Sequence, residues 1–341
     1  MLNRLNSKIL KLIPAVAFLF FQIPAFAQTK EIRVGYFPNV THAPALIARA
    51  RGHFEKKFGK DVAIQWKTFN AGPEAIEALF AGALDLLYVG PNPAINGYVR
   101  SRGEVLRVLV GVASGGSAFV VRSDSGITKF EDIRGKRVAS PQKGNTQDVA
   151  LHYLMNEKGL KSKSQGGDVE VFNISGGDQI TAFLQKQVDA IWTVEPWVSR
   201  LTSEGQGKVL FEESELWADG KYPTTVLVGR KKFLDEHPDW VQEWINGHVE
   251  ILRWTRNNFS EAKQVFNEEL EKESGKPLPP LYLESSFGRI NFSADPLKTQ
   301  VLESARRAAE IGYLKKSELD LTGLYDLSFL NIAKEKKKGN S

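Results

Sequence analysis

Cysteine is absent from the 341-residue chain. That excludes a disulfide framework, a thiolate zinc site, an iron–sulfur cluster and a cysteine nucleophile. Histidine is sparse, with five residues, and no two stand at the His-x-x-x-His spacing of a helical metal pair. Neither a Ser-His-Asp order nor a Walker phosphate loop is present. No catalytic residue, metal site or cofactor is therefore expected. Charge of one sign is lacking too, since 45 Lys and Arg stand against 40 Asp and Glu, a net +5. Three of the cations, Arg4, Lys8 and Lys11, fall within residues 1–27, which hold no acid. Without them the net charge is about +2, which gives no argument for nucleic acid. Beyond residue 27 no apolar run is long enough to span a bilayer.

Residues 1–27 read as an export signal. A basic head precedes the apolar run Leu12 to Phe21, and Ala25-Phe26-Ala27 is a small-x-small cleavage signal before Gln28. Pro14, Gln22 and Pro24 break the run too often for a good membrane span. The mature chain is expected to be soluble and, in a bacterium, periplasmic. Residues 333–341, rich in lysine, read as a solvated basic tail.

Val34-Gly35-Tyr36-Phe37-Pro38-Asn39-Val40-Thr41-His42-Ala43-Pro44-Ala45 organises the rest. It reads as a strand, a tight loop and a helix start, with Pro44 tolerated in the first turn. Such a corner aims free N–H groups and the positive helix end at one point, which suits an anion. The same grammar returns at Arg137-Val138-Ala139-Ser140-Pro141-Gln142-Lys143-Gly144-Asn145-Thr146, 104 residues after Arg33-Val34. Asp85 and Asp189, each between a helix end and a buried strand, keep that offset. Two matches at one spacing predict two similar α/β lobes.

Helices and strands alternate through the first 230 residues, which predicts mostly parallel sheets covered by helices. One helix is expected over 45–58. Ala113 to Ser117 is a candidate crossing between lobes, and the strand Thr225 to Gly229 a candidate return. Lobe 1 is accordingly expected from 28–117 and 229–332, and lobe 2 from 118–228. From Asp235 on the pattern is helical, and the Trp and Leu stripes read as core.

In a doubly wound sheet the crevice lies beyond the carboxyl ends of the strands. The loops expected there hold Asn39, Thr41 and His42; Gly90, Pro91 and Asn92; Ser114, Gly115, Gly116 and Ser117; Gln142, Lys143, Gly144, Asn145 and Thr146; and Glu195 with Trp197. Gly90, Gly115 and Gly144 permit close backbone approach. The polar side chains serve either as neutral donors to a ligand or as helix caps and turn formers. His42 either donates to an anion or caps a helix. Glu195 either receives an ammonium group or accepts backbone N–H bonds. Tyr36 and Trp197 could wall an apolar part of a ligand.

Val34-Gly35-Tyr36 to Phe54, Leu84-Asp85-Leu86-Leu87-Tyr88-Val89-Gly90-Pro91, Ile133 to Val138 and Val188-Asp189-Ala190-Ile191-Trp192-Thr193-Val194-Glu195-Pro196 also resemble a known family. They are similar, in order, to solute-binding proteins of ABC importers, of the aliphatic sulfonate, taurine and nitrate type. The resemblance implies a two-lobed type II periplasmic-binding fold with two crossing strands and a ligand cleft between lobes that close by hinge motion. It implies a small organic anion as ligand, a membrane permease as partner, a monomer and no enzymatic activity. Family contacts carry over by position to Thr41 and His42, Gly90 and Pro91, Ser114 to Ser117, Gln142 to Thr146, and Glu195. If Glu195 reaches the ligand, taurine gains over a plain alkanesulfonate or nitrate. Pyrimidine-synthesis enzymes on the same fold rely on a cysteine-rich motif, which this chain lacks.

Overall fold

The computed structural model describes residues 30–338, so the expected export signal and its cleavage point lie outside the described residues. Eleven strands run in chain order: β1 (Lys30–Tyr36), β2 (Val62–Thr68), β3 (Leu86–Val89), β4 (Leu106–Gly115), β5 (Ser117–Arg122), β6 (Arg137–Ser140), β7 (Glu170–Asn173), β8 (Ala190–Val194), β9 (Gly207–Glu212), β10 (Pro223–Arg230) and β11 (Ile290–Phe292). They form two sheets, ordered β11-β4-β10-β3-β1-β2 and β7-β6-β8-β5-β9. In the first, β1 pairs in parallel with β2 and β3, and β10 runs against β3 and β4. In the second, β6 pairs in parallel with β7 and β8, and β5 runs against β8 and β9. Apart from the edge strand β11, the two sheets have one topology, and the strand that runs against its neighbours in each is β10 or β5.

The offset of 104 residues is visible atom by atom. Arg33 donates from its backbone N–H and Nε to Asp85 Oδ2, at 3.0 and 2.8 Å, and from Nη2 to Oδ1 at 2.8 Å. Arg137 makes the same three bonds to Asp189, at 2.9, 3.2 and 3.1 Å. A fork of this shape fixes both partners in orientation as well as in place. It pins one parallel strand, at the middle of β1 and at the first residue of β6, to the turn before the next. Asp85 is 1% exposed and takes a further bond from Arg230 Nη2. Burial opposes its ionisation, but the bonds from Arg33 and Arg230 outweigh that, and the carboxyl lies below the ordinary Asp range.

Three expectations are corrected. The helix predicted over 45–58 is two helices, Ala43–Ala50 and His53–Phe58, because Gly52 takes a left-handed turn at φ +56°. The return to the first sheet comes earlier than 228/229: all of β10 from Pro223 pairs with β3 and β4. The chain therefore leaves the first sheet between Gly115 and Ser117 and comes back between Leu216 and Pro223. The basic tail begins later than residue 333, since the helix Ser328–Lys338 runs on and Ala333 is buried.

Core forms on both faces of each sheet. The long helix Pro238–Asn257 buries Trp244 against Phe54, with the rings stacked 3.6 Å apart. The helical segments after β10 pack on the first sheet, so the tryptophan stripe there is core, as its spacing predicts. Among the described residues no helix is long and apolar enough to cross a membrane.

Candidate functional site

The carboxyl ends of β1, β3, β6 and β8 face a cavity of about 70 Å³ between the sheets. Its first-lobe wall is Phe37, Asn39, Thr41, His42, Asn70, Gly90 and Thr224. The second-lobe wall is Pro141, Asn145, Thr146, Gln147, Gly176, Gln179, Thr193, Val194 and Trp197. Phe37 and Pro141, Thr41 and Asn145, His42 and Thr146, and Gly90 and Val194 each stand 104 residues apart. The repeat thus folds its two copies against one another, and equivalent loop positions meet across the cavity.

Helix starts dominate the walls. Thr41 and His42 belong to the turn Val40–His42 that feeds the helix Ala43–Ala50. Gly90 precedes the helix Pro91–Arg100. Asn145, Thr146 and Gln147 open the twelve-residue helix Thr146–Glu157. The first-turn N–H groups of such helices have no intrahelical partner, and the helix dipole adds partial positive charge there.

The side chains are set for donation. Asn39 Oδ1 accepts from the N–H and hydroxyl of Thr41, at 3.0 and 2.8 Å, which leaves its amide N–H groups uncommitted. Asn145 repeats this across the cleft: its Oδ1 accepts from the Gly72 N–H at 3.1 Å. His42 stacks on Phe37 with centroids 4.5 Å apart, and its Nδ1 accepts from the Phe37 N–H at 3.3 Å. That bond fixes the tautomer with the proton on Nε2. Burial drives the His42 pKa down to about 3, so the imidazole is a neutral donor. Thr146 Oγ1 and Gln147 Nε2 are buried without a partner. Thr193 and Gln179 are occupied with each other and with the Ile174 carbonyl. Among the described residues that line the cavity, none is Lys, Arg, Asp or Glu.

Of the candidates read from the sequence, Asn39, Thr41, His42, Gly90, Asn145, Thr146 and Trp197 line this cavity. The others are placed elsewhere. The Tyr36 hydroxyl faces Arg49 and Glu273. Pro91 begins a helix beside Gly90, and Asn92 donates to the Ser304 carbonyl. Ser114 reaches β11; Gly115 and Gly116 carry the crossing; Ser117 exchanges two bonds with the Tyr222 hydroxyl. Gln142 is exposed, Lys143 lies over the Tyr313 ring, and Gly144 donates to Asp148.

Glu195 is the largest departure. It is fully buried and accepts from Ser199 N, Ser199 Oγ, Ser286 Oγ and Arg289 Nη1, at 3.1, 3.0, 2.9 and 2.8 Å. Arg289 also holds Glu212. The carboxylate ties β8 to the helix Pro280–Gly288 instead of facing a ligand. On another part of the interface Tyr313 donates to Asp148 Oδ2 at 3.0 Å. Arg307 meets the Leu216 carbonyl at 3.0 Å and lies 3.9 Å over the Trp217 ring.

Phe37, Asn70, Pro141, Gln147, Gly176, Gln179, Thr193, Val194 and Thr224 line the cavity without having been candidates. Carrying the offset of 104 residues from each candidate to its partner yields Val194 from Gly90. The rule then pairs Phe37 with Pro141. Asn70, Gln147, Gln179 and Thr224 carry no such mark.

A family model, the NMT1-like family, matches residues 26–267. A relative in Bacillus subtilis (strain 168) named for aliphatic sulfonate binding is 26% identical over 318 residues, covering 90% of this chain and 89% of its own. The taurine-binding periplasmic protein of Escherichia coli (strain K12) is 28% identical over 239 residues, 70% of this chain and 69% of that one. Among solved structures, the alkanesulfonate-binding protein of Xanthomonas axonopodis pv. citri bound to MOPS aligns with a TM-score of 0.69 at 23% identity, over 90% of this chain and 98% of that chain. At that identity the likeness shows the fold, a two-lobed periplasmic-binding architecture.

Proposed function

The chain belongs to the NMT1-like family, and on that footing we propose that it is the extracytoplasmic receptor of an ABC importer. It captures a small organic anion by closing its lobes and hands it to a membrane permease. The relatives are binding proteins named for sulfonates and taurine, and short sulfonates are the first guests to test. The observation that carries the reading is a cavity walled by neutral donors and helix starts from both lobes, with no charged side chain among the described lining residues. Fixed dipoles can replace the hydration of an anion without committing a counter-charge. Pockets for drug-sized ligands run to about 300–1,000 Å³; this one is far smaller, which favours a guest of few heavy atoms and brings nitrate into the panel. Closing from one part in a hundred to ninety-nine needs roughly 5.5 kcal/mol of differential affinity. Donors contributed by both walls are how a guest supplies it.

The test is a melting-shift and calorimetric panel of short alkanesulfonates, taurine, nitrate and sulfate on the mature chain. At least one small anion is expected to raise the melting temperature in proportion to the logarithm of its concentration. A folded sample silent to the whole panel overturns the reading.

The His42 pKa fixes the pH response. With the folded value near 3, the imidazole stays neutral and its Nε2–H stays a donor from about pH 5 upward. Affinity for a strong-acid anion is expected to be flat between about pH 5 and 8, measured by titration calorimetry. An imidazolium counter-charge would instead tighten binding as the pH falls through about 6.5. Stability behaves differently. The unfolded His42 binds a proton near pH 6.5 and the folded one does not, so the fold loses stability as the pH drops from there toward 3.

A further inference from the structure

We infer that this cavity accepts a monoanion and turns away a guest that also carries an ammonium group, with Gln147 as a seat for the anionic head; the inference rests on the anion-receptor reading above. An ammonium group has three donors and no acceptor. Taken out of water it needs a carboxylate or a full set of acceptors, or the unpaired charge weighs heavily against binding. Among the described residues, no Asp or Glu lines the cavity. Asp178, next to Gln179, is exposed on the helix Asp178–Leu184 and does not line the cavity. The two buried acids next to the lining, Glu195 and Asp148, are already saturated. Glu195 has four donors around it. Asp148 accepts from Ser140 Oγ at 2.7 Å, Gly144 N at 2.8 Å, Asn173 Nδ2 at 3.0 Å and the Tyr313 hydroxyl at 3.0 Å. Neither can turn toward a guest without abandoning those partners.

The donors, by contrast, are in surplus. Thr146 Oγ1 and Gln147 Nε2 are buried and unpartnered in the first turn of the helix Thr146–Glu157, and both residues line the cavity. Gln147 is 6% exposed. A buried amide donor without an acceptor is a standing penalty on the fold. An anionic oxygen placed at the helix start relieves it and meets the helix dipole at the same point. The remainder of such a guest faces the rings of Phe37 and Trp197, which favour an alkyl end.

Propane-1-sulfonate and taurine test this directly, because a methyl group in one stands where the other has its ammonium. In calorimetry on the mature chain at neutral pH, taurine is expected to bind at least tenfold more weakly than propane-1-sulfonate. Gln147→Leu is expected to weaken propane-1-sulfonate at least tenfold while the ligand-free melting temperature holds or rises, since an unpartnered donor has gone. Gln147→Glu puts a carboxylate at the helix start and is expected to abolish sulfonate binding in a chain that still melts cooperatively. Taurine bound within tenfold of propane-1-sulfonate overturns the inference and leaves the receptor reading standing. So does a Gln147→Leu chain that binds propane-1-sulfonate unchanged. If no anion of the panel binds the unmodified chain, the receptor reading itself falls.

Discussion

Asp85→Asn is expected to lower the unfolding free energy by about 3–5 kcal/mol, the range for leaving a buried ion pair uncompensated. Both carboxylate oxygens are in use: Oδ2 takes two donors from Arg33, and Oδ1 takes Nη2 of Arg33 and of Arg230. An asparagine offers one acceptor oxygen and turns an N–H₂ group toward donors. The repeat supplies its own control. Asp189 makes the matching bonds to Arg137, but that arginine side chain is 40% exposed against 26% for Arg33. Asp189→Asn should therefore cost less, since water can take over part of what is lost. Chemical denaturation of the two variants gives the comparison, and equal losses would mean that burial does not set the difference. The pH sign follows from the lowered Asp85 pKa. Its contribution is whole above the unfolded Asp value of about 3.9 and drains away as the pH falls through the lower folded one.

Gly90→Val is expected to reduce guest affinity by at least 100-fold with little loss of fold stability in the open chain. A Cβ on Gly90 would stand 2.6 Å from Thr146 Oγ1, across the cleft. Under the proposed closure, a branched side chain there meets the opposite lobe before the two walls can approach. The loss should appear as faster dissociation in stopped-flow or surface-binding kinetics. Gly90→Val binding at the unmodified affinity would show that the Gly90–Thr146 approach plays no part in holding the guest.

The fold could be read from the chain because its strongest signals are local. An Arg-Val pair within a strand and an Asp at the turn before a neighbouring strand recur at one offset, and the fork between them is what that offset encodes. The corners at residues 37–42 and 141–146 were legible for the same reason. Their Pro, Asn and Thr residues mark the end of a strand and the start of a helix wherever the rest of the chain goes. Gln179 and Thr193 were not legible, since their bond to each other joins two elements that sequence pattern alone does not bring together. Glu195 misled because a carboxylate at a strand end looks the same whether it faces a cleft or a neighbouring helix. Its four partners include Ser286 and Arg289, some ninety residues downstream. Gln147 was missed by one position, hidden as an ordinary second residue of a helix.

A wall of dipoles lets go differently from a wall of charges. A lysine or arginine keeps attracting an anion across several ångströms of water, and so resists unloading. Amide and hydroxyl donors act only at contact, and a helix end fades within its first turn once solvent enters. If the two halves swing apart as proposed, one set of donors leaves with each half, and neither set alone can outcompete water. Discharge would then follow the parting of the two walls, and added salt should alter it little.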